Sequence, residues 1–232
     1  MIFPSDPNER RKHPRLLRAV TWRLPLEISE RYASATFRPF SEILSLGSLS
    51  HHIPERGMEL ENTSVTQNQK EMLLRAVRET ETFSDPIVEI GSWRGATTAA
   101  LAAETRRIVY AVDPYSDSYA SEPVMNEMLE RTKRYSNVTP VRATSGEAAI
   151  QLARTKFSLI FIDGIHDYIN AWFDFTAWSN LLVPGGILAF HDVDDHAGTN
   201  LACRRVLKRK DFEVWGYCPN MLLFRKRGSP ST

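Results

Sequence analysis

Two clusters of acids and histidines carry the chemistry that can be read from the chain. The first is Asp163-Gly-Ile-His166-Asp167, directly after the apolar run Phe157–Ile162. The second is His191-Asp192-Val-Asp194-Asp195-His196, directly after Ile187–Phe190. Neighbouring strands lie ~4.8 Å apart. If these two runs are neighbours, Asp163 and Asp192 converge on one hard cation. Carboxylates, waters and substrate oxygens suit magnesium, manganese or calcium. An imidazole ligand from His166 or His191 moves the preference toward softer divalent ions. The plain alternative is that Asp163 caps the next helix and Asp192 opens a loop. His166 stands three residues past Asp163, and an unperturbed imidazole, with pKa ~6.5, takes a proton near neutral pH. His191 and His196 are weaker candidates, and His13, His51 and His52 receive no role.

A turn of a different kind lies upstream, in Ile87-Val-Glu89-Ile-Gly91-Ser92-Trp-Arg-Gly95. Gly91 and Gly95 permit a tight strand-to-helix turn and close approach of a ligand to the backbone. The pattern is E-x-G-x-x-x-G, not G-x-G-x-x-G, and by itself it also fits a packing turn. The next apolar run ends at Asp113, about 20 residues past the glycine turn, where an acid accepts hydrogen bonds from ribose hydroxyls. Ser145 follows the third apolar run, placed to cap a helix or to line a nucleotide-base pocket. Cys203 and Cys218 have no neighbouring base, and two cysteines make neither a disulfide framework nor a zinc cluster.

The elements that must hold these residues alternate. Apolar runs at Ile87–Ile90, Ile108–Val112, Val138–Val141, Phe157–Ile162 and Ile187–Phe190 read as strands. Helical stretches are expected at 95–104, 121–135, 146–154, 168–182 and 196–210, with Ile169, Trp172, Phe173 and Leu181 on the buried side of the fourth. Continuous apolar strands separated by helices imply a parallel sheet covered on both faces. At the end, Phe212–Cys218 and Met221–Arg225 are separated only by Pro219-Asn220, too short for a crossover helix, so those strands run antiparallel. The expected fold is α/β: a doubly wound, seven-stranded, mostly parallel sheet with one reversed strand. A capping box at Thr66–Gln69 opens a helix before it, with Met72, Leu73, Ala76 and Val77 on one face.

Residues 1–62 form an extension to a domain spanning 63–228. Six prolines in the extension argue for irregular structure. Residues 1–38 hold eight Arg/Lys and four acids, a net +4, which leaves −3 for the remainder of a chain whose total is +1. That balance excludes a broad basic surface, and nucleic acid is not an expected partner. The basic leader is a solvated extension or a contact for a membrane surface, an anionic substrate or a neighbouring subunit. No run of 18 apolar residues spans a membrane and the start has no apolar core of a secretory signal, so a cytoplasmic location is expected.

Taken together, IVEIGSWRG, YAVDP, FSLIFIDGIHDY, LVPGGILAFHDV and the closing strand pair resemble the class I S-adenosylmethionine-dependent methyltransferases, over about residues 66–226. The most specific part resembles small-molecule and sugar O-methyltransferases, the macrolide-sugar enzymes among them. The resemblance implies the strand order 3-2-1-4-5-7-6 with strand 7 antiparallel. It implies that Glu89, Gly91, Ser92 and Gly95 surround the methionine part of S-adenosylmethionine, that Asp113 holds the ribose, and that Ser145 sits near adenine. Asp163, beside the cofactor, and Asp192 match metal-binding acids, with magnesium the expected ion, and His166 falls where such enzymes place a base. Related members often carry an acidic pair where this chain has His191-Asp192. Either His191 replaces one ligand, Asp194 or Asp195 supplies it, or fewer ligands serve. The expected activity is O-methylation of a small-molecule hydroxyl, on a sugar or diol, by in-line transfer. The extension would be a lid, a substrate-recognition element or a homo-oligomer contact. Rival readings are a metal-independent methyltransferase, a nucleotide-dependent oxidoreductase and a non-catalytic cofactor-binding scaffold.

Overall fold

The computed structural model describes residues 20–116 and 120–228, with side chains from residue 25 onward. Five of the leader's cations, Arg10, Arg11, Lys12, Arg15 and Arg18, lie outside the described residues, as does His13. The elements begin with α1 (Val20–Ala35), α2 (Phe40–Ile43), β1 (His51–His52) and α3 (Gln67–Glu79). Five strand–helix units follow: β2 (Ile87–Ile90) and α4 (Ala96–Glu104), β3 (Val109–Asp113) and α5 (Glu122–Thr132), β4 (Val138–Arg142) and α6 (Ser145–Gln151), β5 (Phe157–Ile162) and α7 (Tyr168–Trp178), β6 (Leu182–His191) and α8 (Ala197–Val206). The chain closes with β7 (Phe212–Cys218) and β8 (Met221–Lys226).

All eight strands form one sheet, in the order β1-β7-β8-β6-β5-β2-β3-β4. The expectation of seven strands is corrected: His51–His52 adds an edge strand, parallel to β7, and the sheet order changes with it. Counted without β1, the remaining seven keep the relative order 3-2-1-4-5-7-6, and β8 is antiparallel to both β6 and β7. Strand β1 was invisible because two polar residues have no periodicity. It is held by tertiary contact, with the His51 ring stacked on Trp215 at 4.0 Å.

Side-chain alternation divides the core in two. Val88, Ile90, Ile160, Ile162, Leu188 and Phe190 face one layer with Phe175, Trp178 and Val206. Ile87, Leu159, Phe161, Ile187 and Ala189 face the other, with Met72, Leu73, Ala76 and Val77 of α3 and Leu101 of α4. The α3 face matches expectation because its capping box and its i, i+3, i+4 apolar spacing agree. The α7 face does not. Its buried residues are Asn170, Ala171, Asp174, Phe175 and Trp178, while Ile169, Trp172 and Phe173 are half-buried. Two buried polar residues disguised that face, and both are satisfied. Asn170 bonds to the helix cap Asp167, and Asp174 accepts from Ser145.

The extension is more regular than its prolines imply. Helix α1 runs 16 residues with Pro25 inside it. A proline in a helix interior costs ~3 kcal/mol, but α1 packs on α7 and α8, with Ala33 fully buried and Glu30 accepting from the Tyr168 backbone N–H at 2.8 Å. Among the described residues, no helix is long and apolar enough to cross a membrane.

Candidate active site

The register of the sheet assembles the site. Ile90 of β2 pairs with Ile162 of β5, and Ile162 pairs with Phe190 of β6. Gly91, Asp163 and His191 are therefore the next residues out at one sheet edge, where ligands of open α/β sheets bind. Gly91 has φ +91°, and a Cβ there would lie 2.1 Å from the Asp163 carbonyl oxygen. Only glycine lets these two strand tips pass so closely.

Asp113, at the tip of β3, is buried and braces that turn. One carboxylate oxygen accepts the Trp93 N–H and the other the Tyr115 N–H, each at 3.0 Å. Trp93 and Tyr115 both have positive φ, an uncommon state for such side chains. The Tyr115 hydroxyl closes the ring by donating to Trp93 O at 2.8 Å, and Ser92 Oγ lies 3.1 Å from it. Glu89 is buried beneath the turn and accepts from Thr98 Oγ1. Burial, aided by the charges of Asp163 and Asp113, pushes its carboxyl up to about 8. Ser145 is not the helix cap. Thr144 and Glu147 cap α6, while Ser145 Oγ donates to Asp174 and accepts from Trp178 Nε1. Burial raises the Asp174 carboxyl to about 7.

Asp163, His191 and Asp192 present ligand atoms within 4.8 Å of one another. His191 Nδ1 lies 3.1 Å from Asp163 Oδ1 and 3.4 Å from Asp192 Oδ2. His166 Nε2 lies 2.9 Å from Asp192 Oδ2 and 3.8 Å from Asp163 Oδ1, off line for a hydrogen bond to either. That buried nitrogen has no hydrogen-bond partner among the described residues. His166 also stacks on His196 at 4.3 Å. Burial works against charging His166, but Asp163 and Asp192 outweigh it and hold the ring up to about 9. The same contest raises His191 to about 10. It lowers Asp163 to about 2 and places Asp192 well below the ordinary carboxylate range. An ordinary pKa is thus not what His166 has.

Asp194 and Asp195 stand apart from the cluster. Asp194 accepts from Phe40 N, Tyr217 Oη and Asn220 N, and Asp195 pairs with Arg56 at 2.9 Å. Three positions went unnoticed in the sequence. Asn220, in the β7–β8 turn, donates from Nδ2 to Asp192 Oδ1 and Asp195 Oδ2, both at 2.8 Å. Gln69, whose only sequence signal was its place in the capping box, lies 3.1 Å from His191 Nε2. Ser64 donates to Asp163 Oδ2 at 3.3 Å. Each comes from a distant part of the chain, so no local spacing announces it.

One cavity of about 650 Å³ joins the two halves of the site. Glu89, Gly91, Ser92, Asp113 and Ser145 line it together with Asp163, His166 and Asp192. Gly95 and His191 are not on its wall. Gly95 turns the chain behind it, with φ +72°, and His191 lies buried beneath Asp163. Residues 88–193 match the family model described as "Methyltransferase domain". That match is to a stretch of the chain that holds the whole cluster and the glycine turn.

Solved structures with this fold include the O-methyltransferase NovP, at 16% identity and TM-score 0.58, covering 72% of this chain and 82% of that one. The O-methyltransferase TomG from Streptomyces achromogenes, solved with S-adenosylmethionine, has 19% identity and TM-score 0.58 over 73% and 84%. CalS11, a TDP-rhamnose 3'-O-methyltransferase, has 18% identity and TM-score 0.54 over 68% and 80%. At these identities the likeness establishes the fold. No curated protein matches the chain.

Proposed function

We propose that this protein uses S-adenosylmethionine to methylate a hydroxyl of a small molecule, a sugar or another diol-bearing acceptor, assisted by a divalent cation and by His166 as base. The observation that carries this reading is the single cavity, with the braced Asp113 turn at one end and the Asp163–His166–Asp192 cluster at the other. The solved O-methyltransferases of this fold support the reaction class, and CalS11 supports a sugar acceptor.

The residues fit both the cofactor and a divalent cation. The cofactor half offers the buried Asp113 carboxylate, the turn with Trp93 and Tyr115 at positive φ, and Ser145, with Asp113 and Ser145 both lining the cavity. The metal half offers two ionised carboxylates and His191 Nδ1. This mixed oxygen and nitrogen set suits manganese, iron, cobalt or zinc at least as well as the magnesium expected from sequence. When bound, the cofactor supplies an electrophilic methyl group and the cation lowers the pKa of an acceptor hydroxyl.

The chain's own part is positioning and proton transfer. Asp113 accepts hydrogen bonds from the ribose diol, and Ser145 lines the base end. Gly91 lets the cofactor lie against the backbone at the strand tip. His166, on the cavity lining, takes the acceptor's proton on Nε2, which has no hydrogen-bond partner among the described residues. A histidine held near 9 by two carboxylates is already protonated at neutral pH, so this role needs a cation to offset Asp163 and Asp192. Base and metal are therefore linked. Asn62, the last residue of the extension, lines the cavity beside Thr63 and Ser64, which puts the end of the extension against the substrate or cofactor. The test is calorimetric titration of S-adenosylhomocysteine into chelator-treated protein, repeated with Mn²⁺ and a panel of diols. Cofactor binding without metal, followed by acceptor binding only with metal, is expected. A folded sample that binds no S-adenosylhomocysteine overturns the reading.

A further inference from the structure

Beneath the cluster lies a hydrogen-bond chain from the start of α3. Gln69 is fully buried, and both ends of its carboxamide are committed. Its Nε2 donates to Pro219 O at 2.8 Å, in the β7–β8 turn. Its Oε1 accepts the Thr66 backbone N–H at 2.8 Å, closing the capping box of α3. The amide cannot flip without setting an NH₂ against the Thr66 N–H and an oxygen against the Pro219 carbonyl. Oε1 is therefore an obligate acceptor, and it lies 3.1 Å from Nε2 of the fully buried His191 ring.

We propose that Gln69 is a positioning residue that fixes the tautomer of His191, keeping the proton on Nε2 so that Nδ1 faces Asp163 and Asp192 as a ligand atom for a divalent cation. The ligand half rests on the metal-assisted reading above. The tautomer half does not. With Nε2 held as a donor, Nδ1 is the only ring nitrogen free to lose its proton, and it lies between the two carboxylates at 3.1 and 3.4 Å. A hydrogen bond from the outer nitrogen of a ligating imidazole sets its orientation and raises its basicity. Here that bond belongs to a residue whose own orientation is locked by a helix start and a hairpin turn. The resting geometry of the site is thereby tied to the seating of α3 on the sheet.

The first measurement is a long-range ¹H–¹⁵N correlation on histidine-labelled wild-type protein without metal, followed from neutral pH, where the His191 ring held up to about 10 carries both protons, to above that value. The expected spectra show Nδ1 losing its proton while Nε2 keeps its own. Loss of the Nε2 proton first overturns the proposal outright. The second is Mn²⁺ titration of wild type, Gln69→Met and Gln69→Glu, with melting temperatures alongside. Both variants lose the bond to Pro219 O, so both melt lower. Gln69→Glu keeps an acceptor for Nε2–H and holds Mn²⁺ close to wild-type affinity. Gln69→Met removes the acceptor, and Mn²⁺ binding weakens ~10–100-fold, the usual effect of losing such a partner. Equal weakening in both variants, following their melting temperatures, would show a structural role only and refute the positioning claim. Equal Mn²⁺ affinity in wild type and Gln69→Met also refutes it. If wild type binds no Mn²⁺, the metal-assisted reading and the ligand half fall together, while the spectrum still decides the tautomer.

Discussion

Replacing Gly91 by alanine tests the close passage of β2 and β5. The added Cβ would sit 2.1 Å from the Asp163 oxygen, 2.7 Å from its carbonyl carbon and 3.2 Å from Gly164 N, all backbone atoms. An ordinary carbon–oxygen contact is ~3.3 Å or more, so the strand tips must part by about 1 Å. Parting them breaks the bond from Asp163 N to Ile90 O, now 2.9 Å, at ~1 kcal/mol. The left-handed backbone at φ +91° adds ~1–2 kcal/mol once a Cβ is present. Residual overpacking adds ~1–3 kcal/mol. The expected loss is ~3–6 kcal/mol, a large part of the ~5–15 kcal/mol typical of a domain. Urea unfolding should show the midpoint falling by ~1–2 M at an unchanged slope. Gly164, at the tip of the neighbouring strand, is the control. A Cβ there meets only Asp174 Oδ2 and Ile90 Cγ2, each at 3.6 Å. Gly164→Ala should stay within ~1 kcal/mol of wild type. A Gly91→Ala protein as stable as Gly164→Ala would refute the reasoning.

Three further outcomes are expected. His166→Ala should leave S-adenosylhomocysteine affinity intact by calorimetry and lower turnover ~10²–10⁴-fold; unchanged turnover removes His166 from the mechanism. Glu89 titrates near 8 when folded and near 4.5 when unfolded, so the folded chain binds the extra proton between those values. Its contribution is complete below pH 4.5 and is lost as pH rises through 8. Melting temperature without cofactor should therefore fall from pH 5 to 9, by the equivalent of a few kcal/mol at most. Glu89→Gln should flatten that fall, and an identical profile would show that Glu89 is not protonated in the fold. Exhaustive chelation should abolish turnover and Mn²⁺ should restore it, whereas turnover untouched by chelation would favour a metal-independent enzyme.

Much of the site was legible because its chemistry is local. Asp163 directly follows one apolar run and Asp192 stands two residues past another, so a parallel sheet must bring them to one edge. Asp113 and Gly91 sit at strand tips for the same reason. The α7 face misled, because Asn170 and Asp174 look like surface residues until Asp167 and Ser145 are in place to satisfy them. The extension misled through Pro25, since a proline's local cost says nothing of what the helix gains by packing on α7 and α8.

Alternating apolar runs and helix caps determine this sheet, its reversed last strand and the acids at its edge, because each signal acts within a few residues. Tertiary structure alone decided the protonation of the site and the partners that impose it. His166 is held near 9 and Glu89 near 8 by charges and burial that no spacing reveals. Gln69 reaches His191 across 122 positions and Asn220 reaches Asp192 across 28, contacts that exist only once the chain has folded.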